Sequence, residues 1–295
     1  MSTGAITDVP PHDTVLAQVL DDVAIFTLNR PDKRNALDDV IIEQLDELIG
    51  AAELDDSIKV VVIAAAGDSF SAGHDITGPE PNMEAGGRKS DNPAYTTAWT
   101  GAERRLKREQ RIYVDASLRI RNLSKPTVAA VQGHCVAAGL MLASMCDLIV
   151  AADDASFADP VVRMGNGSIE LLVEPWDLGV RRAKEFLWTG DPITAQEAKQ
   201  IGFVSRIAPR EELHEAALAL ARRIALSPPV AVSLVKRSLN HTWDLMGQSA
   251  SFEHHFMVHH IAHNSDESRT IAQEGKSAPG GLRAYLKNRD GKYQQ

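Results

Sequence analysis

The sequence predicts an α/β fold that gives way to a helical C-terminal region, and three features carry that expectation. Short β-branched apolar runs alternate with helix-periodic stretches through the first two thirds of the chain. The run Lys59–Ala65 is apolar at every step (Val60, Val61, Val62, Ile63), as in a strand covered on both faces. The last third contains helical periodicity only.

The elements follow in order. Thr14–Leu20 and Val23–Leu28 are β-rich and split by Asp21-Asp22, which predicts a hairpin. Asp38 is positioned to cap a helix to about Glu53, with Ile41, Leu45, Leu48 and Ala52 on one stripe. After Lys59–Ala65, the stretch Gly78–Gly101 turns polar and is punctuated by Gly and Pro, too long for a routine connection, and reads as mobile or as a lid. A helix then turns Tyr113, Ala116, Ile120 and Leu123 inward. Thr127–Gln132 is a further buried strand, followed by a small-residue turn, Gly133–Gly139, and a short helix to Cys146. Leu148–Ala152 and Ala155–Ala158 complete the strands. Helices are expected over Arg181–Leu187, after the capping box Thr194/Glu197, and over Glu211–Leu226, Val230–His241 and Gln248–His263. A division into a core, 14–205, and a helical region, 206–295, follows.

Composition narrows the function. With 295 residues, 44% hydrophobic and 24% charged, the chain can bury a large core. Its net charge is −9 and it has no long basic stretch, which argues against nucleic acid as a partner. Cys135 and Cys146 lack paired spacing, so neither a disulfide nor a cysteine metal site is expected. The polar N-terminus lacks the pattern of a signal peptide and no 18-residue apolar run occurs, so a cytoplasmic protein without membrane contact is expected.

Three segments resemble the enoyl-CoA hydratase/isomerase (crotonase) superfamily in order and spacing: Leu28–Leu37 (LNRPDKRNAL), Ser69–Ile76 (SFSAGHDI) and Gly133–Asp147. A fourth, Thr189-Gly190-Asp191 with Ala195, Glu197, Ala198 and Gly202-Phe203-Val204, is similar to the family's later helical signature. The resemblance spans roughly residue 14 to the end. It implies a crotonase-like ββα superhelix core and an acyl-CoA or enoyl-CoA substrate in fatty acid metabolism, processed by a lyase or isomerase, with no cofactor beyond the CoA of the substrate. It also implies a homotrimer or a dimer of trimers joined through the C-terminal helices.

Residue by residue, the resemblance places an oxyanion hole at the backbone N–H groups of His74 and Ala138, donors aimed at where thioester charge develops. Relatives usually carry Gly at the second position. Adenine contacts fall near Ala36, Asp75 and Ile76, phosphate contacts near Lys33, Arg34 and Lys287, and pocket contacts at Ala72, Gly139, Met141 and Val161. The last two matter most, because hydratases of the family carry glutamates there. Neither methionine nor valine can transfer a proton, so the usual hydration chemistry lacks its acid and base.

Two explanations stay open: acids relocated to Glu170 or Glu174, or to the His74 side chain, as in a crotonase-type isomerase or hydrolase using Glu170, or an acyl-CoA-binding protein without catalysis. Glu170 is the preferred catalytic candidate. It follows a flexible Gly-Asn-Gly-Ser stretch and precedes Leu171-Leu172-Val173, so desolvation at the edge of an apolar pocket would raise its pKa. His255, His259 and His263 share a helical face, with His254 and His260 alongside. No acidic ligand has fixed spacing to them, so the stripe reads as a polar helix at an interface or the far end of a pocket, and no metal is expected.

Overall fold

The computed structural model describes Ile6 and residues 9–77, 89, 91–93 and 100–293. Gly78–Gly101, expected to be mobile or a lid, therefore lies mostly outside the described residues.

The chain opens with the expected hairpin, β1 (Val15–Leu20) and β2 (Val23–Leu28), antiparallel in the register Val15↔Leu28 to Leu20↔Val23. Asp21 turns it at φ 57°. Asp38 caps α1 (Asp39–Leu54), its Oδ1 accepting from the Ile41 N–H at 3.0 Å. Then β3 (Val60–Ala65) lies parallel to β2. The anticipated long helix is interrupted: α2 (Gly101–Glu109) passes through a π-helical segment, Gln110–Asp115, into α3 (Ala116–Asn122). Such i→i+5 turns concentrate at functional sites, and this one sits beside the pocket.

Next come β4 (Thr127–Val131), β5 (His134–Val136), α4 (Ala138–Ser144), β6 (Leu148–Ala152) and β7 (Ser156–Ala158). The strand β5 falls where the sequence predicts a turn, because it is only three residues long and pairs with distant segments: β7, and Ser71 opposite Cys135. Four elements, α5 (Glu174–Asp177), α6 (Val180–Thr189), β8 (Ile193–Thr194) and α7 (Ala195–Gln200), lead to β9 (Arg206–Ala208). The capping box at Thr194/Glu197 is formed, both partners bonding the other's backbone. The chain ends in α8 (Leu213–Ala225), α9 (Pro229–Leu245), α10 (Gln248–His263), α11 (Asp266–Ser277) and α12 (Gly281–Gly291).

The main sheet has six strands in the order β1-β2-β3-β4-β6-β9, and a second sheet has the order β5-β7-β8. The continuous apolar run of β3 is explained by its two faces. Val61, Ile63 and Ala65 join the larger core under α1, whereas Val60, Val62 and Ala64 face Leu213, Ala217, Leu220 and Ala221 of α8. The division drawn at residue 205 separates elements that share a core, since β9 pairs with β6 and α8 covers one face of the sheet. Beyond α8 the packing thins. Along α9, Val230, Leu234, Val235, Leu239 and Leu245 are exposed. No single helix among the described residues is long and apolar enough to cross a membrane.

Candidate active site

The site begins with a polar staple. Asn35, fully buried at φ 52°, donates to the carbonyls of Ala66 and Ser69 (2.8 Å each) and accepts from the Arg30 N–H (2.8 Å). Arg30 in turn meets Asp75 at 3.0 Å and Asp38 at 3.2 Å. These contacts tie the Arg30–Leu37 loop to the Ser69–Thr77 turn. Burial pushes the Asp75 carboxyl up, but bonds from Thr77 and Arg30 outweigh it and hold the pKa below its ordinary value. The Asp75 side chain is thus committed to holding the turn, not to a ligand.

The two small-residue turns meet. The Leu37 N–H donates to the Gly73 carbonyl (2.8 Å) and the Asp75 N–H to the Leu37 carbonyl (2.9 Å), which leaves residue 74 between them. Gly73, at φ +89°, has no room for a side chain: a Cβ there would lie 3.0 Å from the Val136 carbonyl oxygen and 3.6 Å from the Ala138 nitrogen. Gly139 is packed as closely, since its Cβ would come 2.6 Å from that of Ser71. Ala137 takes φ 48°, ψ −115°, a conformation strained for any residue but glycine, and this turns the chain into α4. The His74 and Ala138 N–H groups donate to no backbone carbonyl of the described residues.

A cavity of about 360 Å³ opens against these turns. Its floor is a pair, His74 and Glu170, with Nε2 2.9 Å and 3.1 Å from the two carboxylate oxygens. Tyr113, delivered by the π-helical segment, packs its ring 4.0 Å from the His74 ring. Glu170 is 2% exposed, so it is no loop residue in solvent. Burial was expected to raise its pKa, and does push it up, but the His74 imidazole beside it more than offsets that and holds the carboxyl well below its ordinary value. Helix α10 clamps the Glu170 segment: His255 Nε2–H donates to the Ile169 carbonyl and His259 Nδ1–H to the Ser168 carbonyl, both at 2.8 Å. The bend the Gly-Asn-Gly-Ser stretch allowed is present, with Gly165 at φ 77° and Ser168 at φ 85°.

Of the residues singled out from the sequence, Arg34, Ala72, His74, Ile76, Val161 and Glu170 line the cavity. Met141 does not: it is 2% exposed inside the larger hydrophobic core. Gly139 is buried under Ser71 rather than open to the cavity, and Ala36 is half-buried off its wall. Lys33 and Lys287 are exposed and likewise off the wall. Glu174 faces a separate small apolar void with Leu140, Val173 and Phe186, where burial pushes its pKa well up. A neutral acid away from the cavity is a poor relay.

Sequence reasoning missed Glu109, Tyr113 and Arg289, which also line the cavity. Glu109 lies in the charged run Glu103–Arg111, which reads as a solvated helix face, yet it is 3% exposed. The histidine stripe is the wall of a pocket, as one of its two readings held, with His259 and His263 on the cavity. Burial opposes charge on His259, but Glu109 and Glu170 outweigh it and raise its pKa to about 9, whereas burial and the neighbouring His259 lower that of His263 to about 2. One ligand atom each from Glu109, Glu170 and His259 falls within 4.8 Å of the others.

The family model for enoyl-CoA hydratase/isomerase matches residues 19–295. This chain belongs to the enoyl-CoA hydratase/isomerase family. EchA13 of Mycobacterium tuberculosis is 41% identical over 252 residues, 83% of this chain and 79% of that protein. The 2,3-dehydroadipyl-CoA hydratase of Escherichia coli is 30% identical over 255 residues, 85% of this chain and 91% of that one. Among solved structures, an enoyl-CoA hydratase/isomerase from Xanthobacter autotrophicus Py2 superposes with a TM-score of 0.80 at 29% identity, covering 95% of this chain and 98% of that one. A monofunctional enoyl-CoA isomerase from Mycobacterium smegmatis has a TM-score of 0.61 at 28% identity, covering 79% and 95%. Family members with both hydratase and isomerase names thus share this fold, so the reaction must be argued from the site.

Proposed function

We propose that this enzyme binds an acyl-CoA or enoyl-CoA thioester and relocates a proton through a thioester enolate, with His74 and Glu170 in place of the two glutamates used by hydratases. The observation that carries this reading is the pair of half-buried His74 and buried Glu170, 2.9 Å apart on the wall of the cavity against which the two turns meet. The thioester oxygen would accept from the backbone N–H groups of His74 and Ala138, whose alignment precedes the reaction and so costs no reorganisation as charge develops. Ala138 begins α4, and its side chain is fully buried in the hydrophobic core.

Glu170 accepts the Nε2–H of His74 and fixes that tautomer, which leaves Nδ1, buried and without a hydrogen-bond partner among the described residues, as the basic nitrogen that a shift of the ring would bring to the substrate. One base beside one oxyanion hole suffices to take a proton from the α-carbon of a 3-enoyl thioester, giving the dienolate, and to return it to the γ-carbon, giving the 2-enoyl isomer. Hydration needs a second group to hold water, and Val161 stands where that carboxylate would be. The geometry therefore favours double-bond isomerisation over water addition. Arg34 and Arg289 at the cavity supply local cations for CoA phosphates in an otherwise acidic protein. The substrate is the only source of CoA, and no further cofactor enters this scheme. The exposed apolar residues of α9 support a homo-oligomer built through the C-terminal helices.

Mass spectrometry of 2-enoyl and 3-enoyl-CoA thioesters incubated in D₂O tests this. The expected result is deuterium at the α- or γ-carbon and a double-bond isomer that has gained no water. A hydrated product formed at an ordinary enzymatic rate, ~10 s⁻¹, would overturn the isomerase reading. Binding without exchange would leave an acyl-CoA-binding protein.

A further inference from the structure

Glu109 Oε2 and His259 Nε2 are buried, 3.6 Å apart, and make no hydrogen bond among the described residues. His260 Nε2, 3.4 Å from the same Glu109 oxygen, is likewise without one. Buried polar atoms are nearly always satisfied, so several orphans converging on one point call for an explanation. The tautomer of His259 sharpens it. Its Nδ1–H is donated to the Ser168 carbonyl at 2.8 Å, so in the neutral ring Nε2 is the nitrogen that carries the lone pair. A ligating histidine that gives its other N–H to a backbone carbonyl is the arrangement by which proteins orient imidazole toward a metal.

We propose that Glu109, Glu170 and His259 form a binding site for one divalent transition-metal ion, Zn²⁺ or a close relative of it, on the wall of the cavity. Each donor is at least nine-tenths buried, and the three ligand atoms lie within 4.8 Å of one another. Two atoms bound to one tetrahedral Zn²⁺ at ~2.0–2.2 Å stand about 3.3–3.6 Å apart, which the 3.6 Å between Glu109 and His259 already satisfies. The donor set of one imidazole and two carboxylates suits Zn²⁺, Mn²⁺ or Fe²⁺ and not a soft ion that demands sulfur. Glu170 keeps its bond to His74, since a carboxylate offers about four acceptor positions across its two oxygens. All three donors line the cavity, so water or a substrate oxygen could complete the coordination of an ion held there.

This proposal does not depend on the acyl-CoA reading, and its test contains no CoA compound. The full chain, made without a polyhistidine tag and stripped with a chelator, is titrated with Zn²⁺ by calorimetry and with Co²⁺ by visible absorption. About one ion per chain is expected. Glu109→Gln and His259→Gln should each weaken binding by more than about 100-fold, beyond the ~10–100-fold that loss of an outer-shell partner costs. His254→Gln, exposed and outside the cluster, should bind as the parent does. Uptake below about a tenth of an equivalent of Zn²⁺ by the parent, or unchanged binding in folded Glu109→Gln and His259→Gln, overturns the site. If either variant fails to fold, the Co²⁺ spectrum of the parent decides: intense bands of a low-coordinate site support the proposal, and the pale spectrum of aqueous Co²⁺ refutes it.

Discussion

Glu170→Gln removes one charge and keeps the shape of the side chain. Glu170 is 2% exposed, and both carboxylate oxygens approach His74 Nε2, at 2.9 Å and 3.1 Å. Loss of a hydrogen bond to a charged group costs ~1.5–3 kcal/mol, about 10–100-fold in rate at 1.36 kcal/mol per decade. A second effect adds to this. The glutamine amide can donate to Nε2, which places the imidazole proton on Nδ1 and removes the basic lone pair from the atom meant to act. The comparable Asp→Asn change behind a catalytic histidine costs ~10⁴ in kcat. The expected fall in kcat is therefore ~10²–10⁴, with acyl-CoA affinity within about threefold of the parent, because the substitution leaves untouched Arg34 and Arg289, the cations proposed to meet the CoA phosphates. Deuterium exchange at the carbon beside the thioester, followed by mass spectrometry, reads the rate, and calorimetry with a saturated acyl-CoA reads the affinity. Circular dichroism melting verifies that the variant is folded. A folded Gln variant with kcat near that of the parent would refute the His74–Glu170 mechanism.

Three further outcomes follow. Ala137 pays for φ 48°, ψ −115° with ~1–3 kcal/mol of backbone strain, so Ala137→Gly should raise stability to denaturant by roughly 0.5–2 kcal/mol after the entropy of glycine is set against it; a loss of stability would show that the strain is relieved in solution. Burial raises the pKa of Asp177 to about 7, so the folded state holds this proton more tightly than the unfolded chain; stability should decline as pH rises from about 4 to about 7, and Asp177→Asn should gain roughly 1–4 kcal/mol over the parent at pH 8 while matching it near pH 4. Urea titrations at the two pH values check this, and a pH-independent difference would refute it. Leu239→Glu, at a residue 63% exposed on the apolar face of α9, should lower the mass found by light scattering if that face joins subunits, and an unchanged mass would place the interface elsewhere.

Local chemistry made much of the fold readable from the chain. The hairpin at Asp21-Asp22, the cap at Asp38, the capping box at Thr194/Glu197 and the doubly covered strand Val60–Ala65 each depend on neighbours a few residues away, or on the side-chain period itself. The motif segments likewise placed Arg34, Ala72, His74 and Ile76, and the stretch between the third and fourth segments placed Val161 and Glu170, all of which line the cavity. What the sequence could not decide was set by contacts across long separations. Met141 sits one turn into a helix whose start is pressed on Ser71, and that packing sends its side chain into the core. The sign of the Glu170 pKa shift depends on His74, 96 residues earlier, since desolvation alone would have moved it the other way. Glu109 reads as solvated because its neighbours in the chain are charged, and only the docking of α10 over the Ser168–Glu170 segment buries it beside His259. Periodicity reports which face of an element is apolar; which polar groups share an interior is decided by tertiary packing, because their interaction depends on distance and burial in space and leaves no period along the chain.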